Sequence, residues 1–370
     1  LVMGRREGIR FWDAYSGRSW INCHCNGGVF NLGHRHPRVV AALRAALDEL
    51  DVGNHHLISG FRAALASRLS ATTGGRLPGV VFAPGGGEVI DIAIKTARGA
   101  TGRQRVVSAR GGYHGHTGLA LAAGDPEYRD PFGPNLPGFV QVPFGDLDAL
   151  AAAVAREAAA VLREPIPATL GMPLPPPGYL ASVAALCREW GAKLILDEVQ
   201  TGLGRTGRMW CAHWEGVEPD ALVTGKGLGG GLYPIAAVLL SAELHQVFHR
   251  HPFIHIATFG GAELGCVGAL AALEVIEEDG FLERVCELSE RFGEAFAGLP
   301  CTVRRRGLMM GFVFPDEAAA MVGAAALFEA GVFVVWANND RRVLQFLPPL
   351  VLTDAEADEL IGRVTGALAP

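Results

Sequence analysis

The chain has 370 residues, of which 49% are hydrophobic and 19% charged, so it can bury the core of two or three domains. Its net charge of −6 excludes a basic nucleic-acid surface, and its longest uncharged apolar run, about 231–242, is too short to cross a membrane. The seven cysteines are odd in number and scattered, which favours reduced thiols. We therefore expect no nucleic-acid or membrane partner, no signal segment and a cytoplasmic location.

Short apolar runs alternate with helical patterns through the middle of the chain. The predicted strands are 79–83, 105–109, 158–162, 192–196, 221–224 and 235–241, and the predicted helices are 88–98 and 179–190. This alternation predicts an α/β fold with a mostly parallel sheet, of about seven strands, covered by helices. Such sheets place their ligands at the carboxyl ends of the strands.

The pattern changes near residue 265. The predicted helices there are 266–278, 282–297 and 317–330, and the predicted strands are 302–303, 309–314, 332–335 and 343–346. They predict a smaller α+β domain over 266–370, after a large domain over 41–265. Residues 1–40 contain strand-like runs at 8–11 and 19–22, too few to fold alone, so we expect this segment to pack with the small domain.

The run Cys23-His24-Cys25 contains metal-ligating residue types but lacks the pattern of a metal site. In a strand the two cysteines would share one face and His24 would point to the other, and no second ligand pair accompanies them. We expect ordinary strand packing here and no metal.

Two distinctive segments follow predicted strands in the first half of the chain. Gly85, Gly86 and Gly87 separate a strand from a helix, and backbone N–H groups at such a helix N-terminus bind anions. A tight turn would explain the glycines equally well. Tyr113, after the next strand, can stack on a planar ligand, or it is simply a packed loop residue.

Two charged residues end later strands. Asp197 follows a buried apolar strand, where a carboxylate is costly unless a cation or a hydrogen bond compensates it. A helix cap or an ion pair is the alternative. Lys226 stands between glycines, where a partly desolvated amine has a lowered pKa and attacks aldehydes. The alternative is an exposed lysine in a loop.

Together the four segments supply a phosphate cradle, a stacking face, a carboxylate for a ring nitrogen and a lysine for a Schiff base. Pyridoxal 5′-phosphate (PLP) requires all four. The sequence therefore predicts PLP as the cofactor.

With these motifs in place, the sequence resembles the class III aminotransferases, which belong to fold type I among PLP enzymes. Ornithine, acetylornithine and 4-aminobutyrate aminotransferases are members. The matching segments follow the family's order: 11–18, Gly-His-Arg-His-Pro at 33–37, Tyr-His-Gly at 113–115, Glu-Pro-Ile at 164–166, Leu-Asp-Glu-Val-Gln-Thr-Gly at 196–202, Gly-Lys-Gly at 225–227, Thr-Phe-Gly-Gly at 258–261 and Pro-Pro-Leu at 348–350.

The resemblance implies a role for each matching residue. Lys226 would form the Schiff base and move the proton at the substrate Cα, and Asp197 would pair with the pyridine nitrogen. The other implied cofactor contacts are Gly86 and Gly87 at the phosphate, Val199 and Tyr113 on the two ring faces, Gln200 near the ring hydroxyl, and Glu164 and His114 beside the cofactor. Thr258 would reach the phosphate of the neighbouring subunit, which implies a homodimer with shared active sites.

Departures from the family concern the substrate. Gln345, Thr169 and His116 stand where the ornithine-type branch carries charged residues that handle carboxylates. Neither Gln nor a neutral His reproduces the bidentate contact of Arg with a carboxylate. Gly27 and Gly28 fall in the segment that lines the substrate side in the family, and their lack of side chains would leave room there. The resemblance thus implies a donor that is bulkier than ornithine or 4-aminobutyrate, or that lacks a carboxylate at the usual place.

An alternative is that another arginine restores the usual selectivity. Arg18, Arg341 and Arg342 are the arginines considered for this role.

Amino transfer from a primary amine or amino acid to a keto acid is the leading function. Other PLP chemistry on the same scaffold, by an aminomutase, epimerase or decarboxylase, is the alternative, since the Tyr-His-Gly-His run at 113–116 resembles aminomutases as much. A non-catalytic relative is disfavoured because Lys226, Asp197 and Gln200 are all present.

Overall fold

The computed structural model describes residues 1–155 and 157–369. Its strands in chain order are β1 Met3–Glu7, β2 Arg10–Asp13, β3 Ser19–Asn22, β4 Gly79–Ala83, β5 Arg105–Ala109, β6 Phe139–Val142, β7 Ala158–Arg163, β8 Lys193–Asp197, β9 Ala221–Thr224, β10 Ala236–Leu240, β11 Thr302–Arg306, β12 Met309–Val313, β13 Val332–Phe333, β14 Val335–Ala337 and β15 Asp340–Phe346.

Its α-helices are α1 Cys25–Gly28, α2 Pro37–Leu47, α3 Gly60–Ala71, α4 Gly86–Thr101, α5 Gly118–Ala122, α6 Pro126–Arg129, α7 Leu147–Val154, α8 Tyr179–Trp190, α9 Ala242–Arg250, α10 Glu263–Ile276, α11 Phe281–Ala295, α12 Glu317–Glu329 and α13 Asp354–Leu368. No helix in the described ranges combines the length and the apolar character needed to cross a membrane.

The large sheet has seven strands in the order β4-β10-β9-β8-β7-β5-β6. Strand β10 runs antiparallel to both of its neighbours, and the remaining pairs are parallel. All six residues of β7 are buried, as expected for a central strand covered by helices on both faces. The predicted α/β class and the mostly parallel sheet are confirmed.

Two four-stranded sheets form the smaller domain. One has the order β1-β2-β3-β13, so the N-terminal strands are hydrogen-bonded to a strand from the C-terminal part. The other has the order β11-β12-β15-β14 and covers a core in which Phe292, Phe296, Phe312 and Phe346 are fully buried. The fold thus combines a large parallel-sheet domain with a smaller domain built from both ends of the chain.

The predicted strand over residues 23–25 is wrong. Strand β3 ends at Asn22, and the chain then turns sharply, since Cys25 and Asn26 have φ angles of 51° and 50°. Cys23 and Cys25 are both buried, and His24 is half-buried. Burial therefore alternates along residues 23–25 as predicted, but the cause is a turn and not a strand.

Candidate active site

The first part of the site is the start of helix α4. Gly85 is its extended N-cap, and the N–H groups of Gly86 and Gly87 precede the first hydrogen bond of the helix, from Val89 N to Gly85 O. They are therefore donors without a partner in the helix, at the positive end of its dipole. This geometry fits an anion such as a phosphate.

The loop after β5 lies directly against this glycine turn. A Cβ on Gly115 would lie 2.6 Å from Gly87 Cα, so the two backbones approach as closely as only glycine allows. A Cβ on Gly87 would lie 2.8 Å from the Thr117 hydroxyl oxygen. Thr117 therefore places a hydroxyl beside the helix N-terminus. Sequence reasoning missed it, although it ends the Tyr-His-Gly-His-Thr run.

Asp197, at the end of β8, is buried and held on both carboxylate oxygens. Its Oδ2 lies 2.8 Å from His114 Nδ1, and its Oδ1 accepts a hydrogen bond of 3.1 Å from the Val199 N–H. His114 is buried as well, and among the described residues its Nε2 has no hydrogen-bond partner. His114 thus orients the Asp197 carboxylate through its Oδ2 atom.

Val199 lies between the two glycine segments. Its side chain would be 3.6 Å from a Cβ on Gly86 and 3.7 Å from one on Gly225. It therefore forms an apolar wall between the helix N-terminus and the strand end that carries Lys226.

Lys226 begins a 3-10 turn, Lys226–Gly229, directly after β9 and Gly225. Its φ of 45° is in the left-handed region, which is unusual for a residue with a side chain and is often found at functional sites. Its Nζ donates a 3.0 Å hydrogen bond to Gln200 Oε1. Burial lowers the pKa of Lys226, while Asp197 and Glu164 act in the opposite direction.

The sequence contains three lysines, which makes the position of Lys226 informative. Lys95 is exposed, and Lys193 forms an ion pair of 2.7 Å with Glu243. Lys226 instead lies among buried groups at the carboxyl edge of the sheet. It is the lysine best placed to act as a nucleophile.

Glu164 directly follows β7 and is a further polar residue of the site. Its Oε2 accepts a 2.9 Å hydrogen bond from the Tyr113 N–H. Burial raises the pKa of Glu164 to about 7, with His114 opposing this shift and Asp197 adding to it. Burial likewise raises the pKa of Tyr113, although the residue is 39% exposed.

Gly27 faces the Lys226 amine. A Cβ on Gly27 would lie 3.3 Å from Lys226 Cε and 3.6 Å from its Nζ, whereas a Cβ on Gly28 would face Asn31 Oδ1 at 3.4 Å. Of these two glycines, Gly27 is thus the one that lies beside the Lys226 amine. The sequence does not predict a role for His24, yet the structure places it near Lys226. Burial is the main cause that lowers the pKa of His24 to about 4, and the charge of Lys226 lowers it further.

Besides Gly28, the predicted substrate residues are His116, Thr169 and Gln345. His116 is exposed and stacks on Tyr128, at 5.6 Å between ring centroids and 29° between planes. The Thr169 hydroxyl donates to Gly111 O at 3.0 Å, so it already has a partner. Gln345 is buried in β15, where Nε2 lies 3.4 Å from Trp336 O.

Each arginine considered as a replacement already pairs with a carboxylate. Arg18 binds Glu329 at 3.0 Å, and Arg341 lies 3.3 Å from Glu317. Arg342 makes two hydrogen bonds of 2.9 Å to Asp340. In the part of the chain that the structure describes, these groups form surface ion pairs of the small domain.

Thr258 is exposed in the loop between α9 and α10. The loop lies along β4, an edge strand of the large sheet, since a Cβ on Gly260 would be 2.6 Å from Phe82 O.

Comparison with known proteins gives a consistent result. A family model described as "Aminotransferase class-III" matches residues 1–368. The chain is 51% identical over 374 residues to an "Uncharacterized aminotransferase" of Archaeoglobus fulgidus, and the alignment covers 100% of this chain and 88% of that protein.

Solved structures agree with this match. The ornithine aminotransferase of Toxoplasma gondii superimposes with a TM-score of 0.93 at 29% identity, over 100% of this chain and 90% of that one. An amine transaminase from an uncultivated Pseudomonas species, solved in its PLP-bound form, has a TM-score of 0.89 at 28% identity, over 100% of this chain and 94% of that one. The chain belongs to the class III aminotransferases, enzymes of PLP-dependent amino transfer.

Proposed function

We propose that amino transfer takes place at Lys226, from a primary amine donor to a keto-acid acceptor. The observation that carries this assignment is the Lys226 amine itself. Its Nζ donates to Gln200 Oε1 at 3.0 Å, burial lowers its pKa, and the charges of Asp197 and Glu164 act on it.

The residues present fit PLP. Gln200 Nε2 and His114 Nε2 are buried and lack partners within the described ranges, which is typical of a polar cavity shaped for a ligand. The N–H groups of Gly86 and Gly87 and the Thr117 hydroxyl would hold the phosphate. Val199 and Tyr113 would cover the two faces of the ring.

When bound, PLP supplies an aldehyde that condenses with amines and a ring that withdraws electrons from the bonds at the substrate Cα. Asp197 would hold a proton on the ring nitrogen, because its buried carboxylate favours a nearby cation. His114 would keep that carboxylate oriented through the 2.8 Å contact. Lys226 Nζ would take the proton from the substrate Cα and return it, which its lowered pKa assists.

We infer a homodimer in which Thr258 completes the phosphate site of the neighbouring subunit. Support comes from an apolar surface around the Thr258 loop. Its exposed members are Leu57, Ile58, Phe253, Ile254, Ile256 and Phe259. Apolar surface of this extent on a chain is typical of an interface.

We infer further that the donor is bulky or lacks a carboxylate at the usual place. The space at Gly27 and the ion pairs that occupy Arg18, Arg341 and Arg342 support this proposal. Gln345 and His116 would then meet the substrate through hydrogen bonds.

A domain division at about residues 40 and 265 remains our proposal, as does the cytoplasmic location. The seven cysteines, all within the described residues, are unpaired thiols, which supports a reducing compartment.

The test is a comparison of amine donors, followed through the absorbance change of the bound cofactor in the first half-reaction. We expect bulky or carboxylate-free amines to react with a kcat/KM above that of ornithine, acetylornithine and 4-aminobutyrate. Gly27→Ala should lower kcat/KM for bulky donors by about tenfold or more, since the added methyl group lies against Lys226. Turnover of any of the three amino acids at about 10⁴ M⁻¹s⁻¹ or above would contradict the proposed donor class.

A further inference from the structure

The turn between β14 and β15 of the smaller domain reaches the loop that carries Tyr113. Asn339, in this turn, donates from Nδ2 to Gly111 O at 2.9 Å and accepts from the Tyr128 hydroxyl at 2.8 Å through Oδ1. Its backbone N–H donates to Thr169 O at 2.8 Å. One residue of the smaller domain thus binds three separate segments of the larger domain.

Gly111 is the fixed start of the loop. Its carbonyl also accepts from the Thr169 hydroxyl at 3.0 Å, and its N–H donates to both oxygens of Asp125 at 3.0 Å. Gly111 has a φ of 75°, and a Cβ there would lie 2.5 Å from Leu170 Cδ1. Tyr113 follows two residues later, so a shift of the Gly111 carbonyl moves Tyr113.

A second route runs through aromatic rings. Tyr128, whose hydroxyl binds Asn339, stacks on His116 at 5.6 Å. His116 in turn meets the Tyr113 ring edge-on, at 5.1 Å and 72°. Asn339 therefore acts on Tyr113 through the backbone at one side and through the ring at the other.

We propose that Asn339 is a positioning residue that sets the place of the Tyr113 ring at the cofactor site. The inference rests on the proposed role of Tyr113 as one face of that site. Because Asn339 belongs to the smaller domain, the position of that domain is coupled to the stacking face. Both hydrogen bonds of its side chain are needed, since one holds Gly111 and the other holds Tyr128.

The test uses Asn339→Ala, with Asn338→Ala as the matched control, because Asn338 is the exposed neighbour in the same turn. Hydrogen exchange is measured on the purified protein without added cofactor. We expect the amides of residues 111–116 to exchange about tenfold faster in Asn339→Ala, as for the loss of a half-buried hydrogen bond, while amides of β8 keep their rates. The affinity for added PLP should fall by a similar factor.

Tyr128→Phe separates the two routes, because it removes the hydroxyl and retains the ring stacked on His116. It should raise exchange less than Asn339→Ala does. Unchanged exchange at 111–116 in Asn339→Ala, or the same increase in Asn338→Ala, overturns the inference. Faster exchange with unchanged PLP affinity supports the hold of Asn339 on the loop and contradicts only the proposed role of Tyr113.

Discussion

At the scale of single residues, Asp197 is the group on which the electrostatics of the site depend. Both of its oxygens are held, one by His114 and one by the Val199 N–H, so its carboxylate has one orientation. Asp197→Asn keeps the shape and removes the charge. We expect the protein to fold and kcat to fall about 10²–10³-fold, the usual loss for a preorganised electrostatic partner. Steady-state kinetics on the loaded enzyme measures this, and near-normal turnover would remove Asp197 from the mechanism.

Glu164 gives a prediction on the pH dependence of stability. Burial raises its pKa from 4.5 to about 7, so the folded chain keeps a proton that the unfolded chain has already lost between these values. Unfolding then releases a proton, and the contribution of Glu164 to stability falls as the pH rises from about 4.5 to 7 and is constant above that range.

Glu164→Gln provides the comparison, since its amide does not titrate. Urea unfolding of the cofactor-free protein at pH 5 and pH 8 should show wild type losing about 2 kcal/mol more than the variant across this interval. Equal losses in the two proteins would show that Glu164 ionises normally.

At the scale of secondary-structure elements, the start of helix α4 makes a close contact with the loop after β5. A Cβ on Gly87 would lie 2.8 Å from the Thr117 hydroxyl oxygen, which would have to move away. Gly87→Ala should therefore weaken PLP binding by about tenfold, through loss of a charge-assisted hydrogen bond. Gly99→Ala is the control, because Gly99 lies in the same helix, and a Cβ there would contact Val247 at 3.3 Å and not Thr117. Titration of the apo-protein with PLP gives both affinities, and equal values would contradict this role of Thr117.

Mainly apolar strands of the large sheet are the elements that the sequence indicates most readily. Strands β4, β5 and β9 have their predicted bounds, because each is rich in apolar residues and is followed within two residues by a glycine. The sequence does not predict strand β6, because it has only four residues, Phe139–Val142, and the polar Gln141 interrupts its three apolar ones. The predicted strand 332–335 is two short strands, β13 and β14, which belong to different sheets.

The residues of the site also fall into two groups, those that the sequence indicates and those that it does not. Asp197 and Lys226 are recognisable because each ends a strand, and the parallel sheet brings strand ends together. Thr117, His24 and Asn339 reach the site through loop conformation and the contact between the two domains. Such contacts depend on tertiary structure, and no local pattern in the sequence indicates them.

For the molecule as a whole, the proposed homodimer with a shared active site predicts complementation between subunits. Lys226→Ala and Thr258→Glu should each be inactive or nearly so as homodimers. A mixed dimer would hold one site with both residues intact, so random mixing should restore about a quarter of wild-type activity. Sedimentation should give a dimer for both variants. An active monomer, or no recovery after subunit exchange, would contradict the shared site.

Lys226 is the lysine that we propose to bind the cofactor, and Lys95 and Lys193 are the other two lysines of the chain. The direct measurement is borohydride reduction of the protein loaded with PLP, followed by peptide mass spectrometry. We predict one cofactor adduct per chain, on the peptide that contains Lys226, and none in Lys226→Ala. An adduct on Lys95 or Lys193 instead, or an unlabelled Lys226 in protein that has bound PLP, would contradict the assignment.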